Sequence, residues 1–267
     1  MNKADGHLGD VRRFYDEWTP RFLAGFGSTF QAGFLKENEA APEDPDISTK
    51  LMAERAGVRP GQRVLDAGCG VGGPAIAMAS AWPGLSVCGV TISAVQAGIG
   101  RQLITDAGLP AQVSILQADY HRLPFVAHSF DVAVLFESIG YSLDRHRLLD
   151  EVIRVVRPGG RIYIKDVFAP PPPLTATQER DLRSFDELWH LACSPTIPEV
   201  RAALAGAGCE ILTSGPMANV GNARFLRAMF DLDPVTIVRV NDLGQAFGLN
   251  VDDLPTFFGE VIARVPG

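Results

Sequence analysis

Asp66 closes a short apolar run, Arg63 to Asp66 (RVLD), and glycines follow at 68, 70 and 73 within VLDAGCGVGG. Between a strand and a helix this spacing reads GxGxxG, a turn in which backbone amides come close to a ligand. Alone it would hold a dinucleotide pyrophosphate. Two features oppose that. One is the carboxylate of Asp66 itself. The other lies about twenty residues on, where a dinucleotide site carries an acid for the ribose hydroxyl; there the chain reads Gly89-Val-Thr-Ile92. A strand-end carboxylate beside a tight glycine turn suits a ligand with a cationic or amino group and no phosphate, or else it braces the turn.

Two further acids stand at chemically useful places: Asp119 in QADYHRLPF, and Glu137 just after the run FDVAVLF. No metal-ligand spacing accompanies them. His121 and His128 are unconvincing as a pair, the four cysteines (Cys69, Cys88, Cys193, Cys209) form no CxxC, and Asp252-Asp253 runs into Leu-Pro-Thr rather than an aspartate-rich cyclase motif. The thiols are read as free and buried, and no metal site is expected.

The elements that must position these groups alternate strand and helix. Short apolar strands are expected at Arg63–Asp66, Ser86–Val90, Val113–Gln117, Phe130–Phe136 and Arg161–Val167. Helices are expected between them, the last, Asp144 to Val156, stopping at Arg157-Pro-Gly-Gly160. This alternation predicts an α/β fold with a parallel sheet and helices on both faces. Before it, Phe14, Tyr15, Trp18, Phe22, Phe26, Phe30 and Phe34 form a stripe at helical spacing, so residues 1–50 are read as an aromatic helical arm. After it come an amphipathic helix within 170–195, a helix at Ile197–Ala207, a strand at Cys209–Thr213, a helix over 220–248 and a final strand at Phe257–Val265. Residues 51–267 are then one domain with cap insertions at about 170–195 and 217–253.

DAGCGVGG resembles motif I of the class I S-adenosylmethionine-dependent methyltransferases. QADYHRLPF, FDVAV and RVVRPGGRIYIKD fall where that family places its later motifs. The resemblance implies a doubly wound, Rossmann-like sheet of seven strands, mostly parallel, with the last strand antiparallel. It places Asp66, Gly68 and Gly70 at the methionine part of S-adenosyl-L-methionine, Thr91, Ile92 and Gln96 at its ribose, and Asp119 and Tyr120 at its adenine. Phe136 and Glu137 would line the transferring methyl. Many small-molecule O-methyltransferases of this frame carry a His pair a few residues later; Gly140 and Tyr141 stand there instead. With the aromatic arm, this resembles the C-methyltransferases of sterols and prenyl diphosphates. In that subgroup Glu137 would accept a proton after the methyl has moved to an alkene carbon, and Tyr141 would stand beside it as the second catalytic residue. Tyr15, Phe22, Phe185, Trp189, His190 and Arg183 would bind the substrate. Lys165, Arg180, Arg224 and Arg227 are the other cations available to a diphosphate, which would bring Mg2+ with it. The alternative is an O- or N-methyltransferase of natural-product biosynthesis. A catalytically silent cofactor-binding scaffold and a dinucleotide reductase are the remaining classes.

Composition falls in the globular range, which excludes disorder, collagen and coiled coil. The chain has 267 residues, 46% hydrophobic and 21% charged, with 24 basic against 31 acidic residues. A net charge of -7 argues against nucleic acid or an anionic membrane as the main partner. No apolar run approaches the roughly 18 residues of a membrane span, and the charged start lacks a signal-peptide core. The expected location is cytoplasmic, the expected state a homo-oligomer.

Overall fold

The computed structural model describes residues 3–34, 44–218, 220 and 255–267. The helix expected over 220–248, apart from Val220, nearly all of the insertion at 217–253, Arg224, Arg227 and Asp252-Asp253 lie outside them.

Seven strands form one sheet: β1 (Arg63–Ala67), β2 (Ser86–Thr91), β3 (Val113–Gln117), β4 (Phe130–Phe136), β5 (Val156–Phe168), β6 (Glu210–Pro216) and β7 (Phe257–Arg264). Their order is β3-β2-β1-β4-β5-β7-β6. Strands β1 to β5 pair in parallel, and β7 runs antiparallel to both β5 and β6, as the family resemblance implied. Alternate residues of the central strands face opposite layers. Val64, Val132, Val134 and Tyr163 pack with Met52, Ala53 and Ala56 of α2 (Pro45–Ala56) and with Met78 of α3 (Gly73–Ala81). Leu65, Ala133, Leu135 and Ile162 pack with Leu148, Leu149 and Val152 of α5 (Arg145–Val155) and with Leu204 of α7 (Ile197–Gly206). Buried on both faces, these strands read as continuous apolar runs rather than alternating ones.

The chain leaves β1 toward β2 on one side and returns from β3 to β4 on the other. The carboxyl ends of β1 and β4 therefore flank the topological switch point, where open α/β sheets bind ligands. Helix α4 (Ala94–Asp106) begins beside it, capped by Ser93, whose Oγ accepts from Gln96 N.

Two expectations change. The turn Arg157-Pro-Gly-Gly160 does not separate helix from strand; it is a bulge inside β5. Val156 pairs with Phe130, pairing resumes at Arg161 opposite Val132, and Gly159 takes φ 73°. The arm is not helical throughout either. Helix α1 spans Lys3–Phe26 and ends at Gly27, φ 72°. The following segment crosses the glycine turn so closely that a Cβ on Gly73 would stand 2.3 Å from the Ser28 carbonyl oxygen, and one on Gly33 would stand 2.5 Å from Ser48 Oγ. Phe30 and Phe34 therefore come from extended chain, not from the helical stripe.

Candidate active site

All nine residues expected around the cofactor (Asp66, Gly68, Gly70, Thr91, Ile92, Gln96, Asp119, Tyr120 and Phe136) line one cavity at the carboxyl ends of the strands. Helix α1 closes it from above with Leu8, Val11 and Tyr15.

Asp66 is the most unusual of the nine. It is 1% exposed, and its Oδ2 has no hydrogen-bond partner. Burial pushes its pKa up to about 7. A buried acceptor without a donor is costly, so this atom waits for one. Gly68 has φ 90°, and a Cβ there would stand 2.4 Å from the Ser138 Cβ; only glycine lets the turn lie against the end of β4. Ser138 Oγ donates to the Ala67 carbonyl at 2.7 Å and ties the two strand ends together.

Thr91 Oγ1 donates to Gln96 Oε1 at 2.6 Å, fixing the amide of a side chain that is almost fully buried. Asp119 Oδ1 accepts from His121 N at 2.9 Å and bonds His121 Nδ1 at 2.7 Å. Burial raises the Asp119 pKa, but those bonds outweigh it and hold the carboxyl below its usual value. His121 Nε2 in turn bonds Ser142 Oγ at 2.8 Å. This buried histidine braces the Asp119 loop through both ring nitrogens, and among the described residues no three His, Cys, Asp or Glu stand together to hold an ion.

Glu137 sits in the left-handed region at φ 51°, a strained conformation for a residue with a side chain. Its carboxyl faces Ala32 and Lys165. There Oε1 accepts from Ala32 N at 2.7 Å and pairs with the ammonium of Lys165. Lys165 is fully buried; it also donates to the Ala32 carbonyl at 2.6 Å and lies 4.7 Å from the Phe258 ring centre. Lys165, expected among the cations for a diphosphate, is thus committed to Glu137.

A second cavity adjoins the first. Tyr15, Phe30, Glu137 and Tyr141 line both. Tyr15 and Tyr141 meet hydroxyl to hydroxyl at 2.5 Å, with rings edge to face 5.6 Å apart. Burial pushes both phenols above their usual range. Phe22, Phe185 and Trp189 complete the aromatic wall, the latter two from α6 (Ala176–Trp189), which a Thr175–Gln178 capping box starts. Two residues expected here stand elsewhere. Arg183 points to solvent, its side chain 67% exposed and 3.9 Å from Glu179. His190 ends α6 at φ 55° and packs on Phe14, ring centres 4.6 Å apart; it lines neither cavity. Arg180 pairs with Asp181 at the surface.

One residue was passed over in the sequence. Asp166 lines the second cavity, is 5% exposed, and lies two residues before the end of β5, much as Asp66 lies one before the end of β1. The same signal, an acid at the end of an apolar strand, stood in RIYIKD.

The family described as "Methyltransferase domain" matches residues 65–164. The chain is 30% identical over 226 residues to "O-methyltransferase rstn1" of Aspergillus nomiae, covering 79% of this chain and 96% of that protein. It is 33% identical over 256 residues to "Methyltransferase GfsG" of Streptomyces halstedii, covering 95% and 82%. Among solved structures, the [4+2]-cyclase SpnF superposes with a TM-score of 0.79 at 22% identity over 97% of each chain. A geranyl diphosphate C-methyltransferase of Streptomyces coelicolor A3(2), solved with Mg2+, geranyl diphosphate and S-adenosyl-L-homocysteine, superposes with a TM-score of 0.77 at 18% identity over 99% and 100%. At those identities the two likenesses establish the fold.

Proposed function

The chain belongs to the class I S-adenosylmethionine-dependent methyltransferases, and from that premise we propose that it methylates a hydroxyl of an uncharged, largely apolar natural product held in the second cavity. The observation behind this reading is the lining of that cavity. Its ionisable groups among the described residues are Tyr15, Glu137, Tyr141 and Asp166, all acidic or phenolic. Such a wall disfavours a diphosphate and accepts an apolar body with a proton to lose. Relatives over most of their length include the O-methyltransferase rstn1 and a 27-O-demethylrifamycin SV methyltransferase of Amycolatopsis mediterranei.

The first cavity fits the cofactor. The unpartnered Asp66 Oδ2 would take the amino group of its methionine part. Gly68 and Gly70 would let the backbone approach, Thr91, Ile92 and Gln96 would meet the ribose, and Asp119 and Tyr120 the adenine. Phe136 would pack beside the sulfonium. When bound, S-adenosylmethionine supplies a methyl group ready for displacement from sulfur. The protein's part is alignment and exclusion of water: Tyr15 and Tyr141 stand where the cavities meet, and α1 lies over them.

Carbon methylation of a prenyl diphosphate is the second reading. It is favoured by the Glu137 carboxylate and the Tyr15, Phe30 and Tyr141 rings at the cavity junction, which could stabilise a carbocation. It would need cations, with Mg2+, from residues beyond those described.

Calorimetry and a labelled-methyl panel test both readings. The chain is expected to bind S-adenosylhomocysteine and not NADH. Asp119→Ala should weaken that binding by about 1–2 kcal/mol, the scale of a lost hydrogen bond. Label should appear as an O-methyl on a naphthol or geraniol; label at a carbon of geranyl diphosphate would establish the second reading instead.

A further inference from the structure

Two carboxylates line the second cavity, and they differ in what surrounds them. Glu137 shares one oxygen between Ala32 N and the Lys165 ammonium. Protonating it would strand a buried lysine charge, an expensive state. Asp166 has no cation in contact among the described residues. Its Oδ1 accepts from Val167 N at 2.7 Å and its Oδ2 from Ile139 N at 2.9 Å. These bonds fix the carboxyl's orientation and leave each oxygen a further lone pair.

We propose that Asp166 is the proton acceptor for the substrate hydroxyl, with the Glu137–Lys165 pair as its fixed neighbour; this rests on the hydroxyl-acceptor reading above. As the acceptor oxygen forms its bond to the methyl carbon, the C–S bond breaks with its electron pair left on sulfur. The O–H proton passes to Asp166 and later to solvent.

Burial, and then the Glu137 charge, push Asp166 up to about 7, against the opposing effect of its two backbone bonds and Lys165. A base works best when its pKa lies near the working pH. The ionisable groups facing it are Glu137 at the end of β4, Lys165 on β5, Tyr15 on α1, and Tyr120 and Tyr141 on the intervening loops.

The test uses the full chain labelled with carbon-13 at aspartate carboxyls. Without ligand two signals should titrate near 7, and Asp66→Asn should remove one of them; saturation with S-adenosylhomocysteine should move that one down and leave the other near 7. Asp166→Asn should remove the other and lower kcat on the methylated naphthol or geraniol by roughly 10²-fold or more, the scale of a positioned base. The fall of kcat below about pH 7 should vanish with it, while S-adenosylhomocysteine affinity stays nearly unchanged. A wild-type Asp166 signal titrating in the ordinary carboxylate range overturns the proposal, as does full turnover in Asp166→Asn. If the variant fails to fold, the wild-type protein still decides: absence of an acidic limb in kcat overturns it. Methylation of geranyl diphosphate alone, with cofactor binding intact, overturns the hydroxyl reading beneath it, whatever the Asp166 signal does.

Discussion

Glu137 and Lys165 form an ion pair whose lysine is wholly shielded from solvent and whose glutamate is held in a left-handed backbone conformation. The pair fastens the arm to the sheet, because both partners also bond the backbone of Ala32. Breaking one side of such a pair leaves a buried charge alone. Glu137→Gln should therefore destabilise the fold by about 3 kcal/mol in urea unfolding, and Glu137→Gln with Lys165→Met should recover much of that loss. Equal losses in the single and double variants would mean that packing, not charge, sets the cost.

Asp66→Asn separates stability from binding. The amide removes a carboxyl that burial disfavours, so the protein without ligand should unfold at higher urea. Affinity for S-adenosylhomocysteine should fall by about 1–3 kcal/mol, since an ionic acceptor for its amino group is gone. Calorimetry showing unchanged affinity would remove Asp66 from the cofactor site.

Stability should fall as pH rises from about 4 to about 7. Asp66 and Asp166 both reach about 7 in the fold against 3.8 in an open chain. Over that window the unfolded chain has lost protons that the folded one keeps, so the unfolding free energy drops, then levels off. Each pKa unit corresponds to about 1.4 kcal/mol. Asp119 and Glu151 are held low and act in the opposite sense, below about pH 4. Urea midpoints across pH, wild type against Asp66→Asn, check the slope: the variant should be flatter.

Tyr15→Phe removes the hydroxyl that meets Tyr141. The remaining phenol is buried, and the loss should be about 1–2 kcal/mol. Peptides from α1 should exchange amide hydrogen faster. Unchanged exchange would show that Phe14, Trp18 and Phe22 hold the arm by packing alone.

The strands and the glycine turn were legible because local chemistry dictates them. VLDAGCGVGG must bend where it does, and doubly buried strands must be apolar. What escaped was pairing over distance. Nothing near Lys165 announces that it will meet Glu137, or that α6 turns Arg183 outward while Phe185 and Trp189 face in. Asp166 carried the same local signal as Asp66, yet a strand-end acid shows its purpose only once a cavity stands beside it. The β5 bulge was misread because Pro-Gly-Gly fits a helix stop and a spare loop within a ladder equally well.

The wall around Lys165 also bears on how the chain folds. Its ammonium needs the Ala32 carbonyl, 133 residues away, and the Phe258 ring on the last strand. Contacts that distant are closed late, after the entropy of long loops has been spent. A nascent chain still lacking β7 would hold Lys165 without its aromatic cover, and the second cavity would lack one side. The second cavity is thus among the final parts to assemble during synthesis, and a chain interrupted before Phe257 would keep the glycine turn while losing one wall of that cavity.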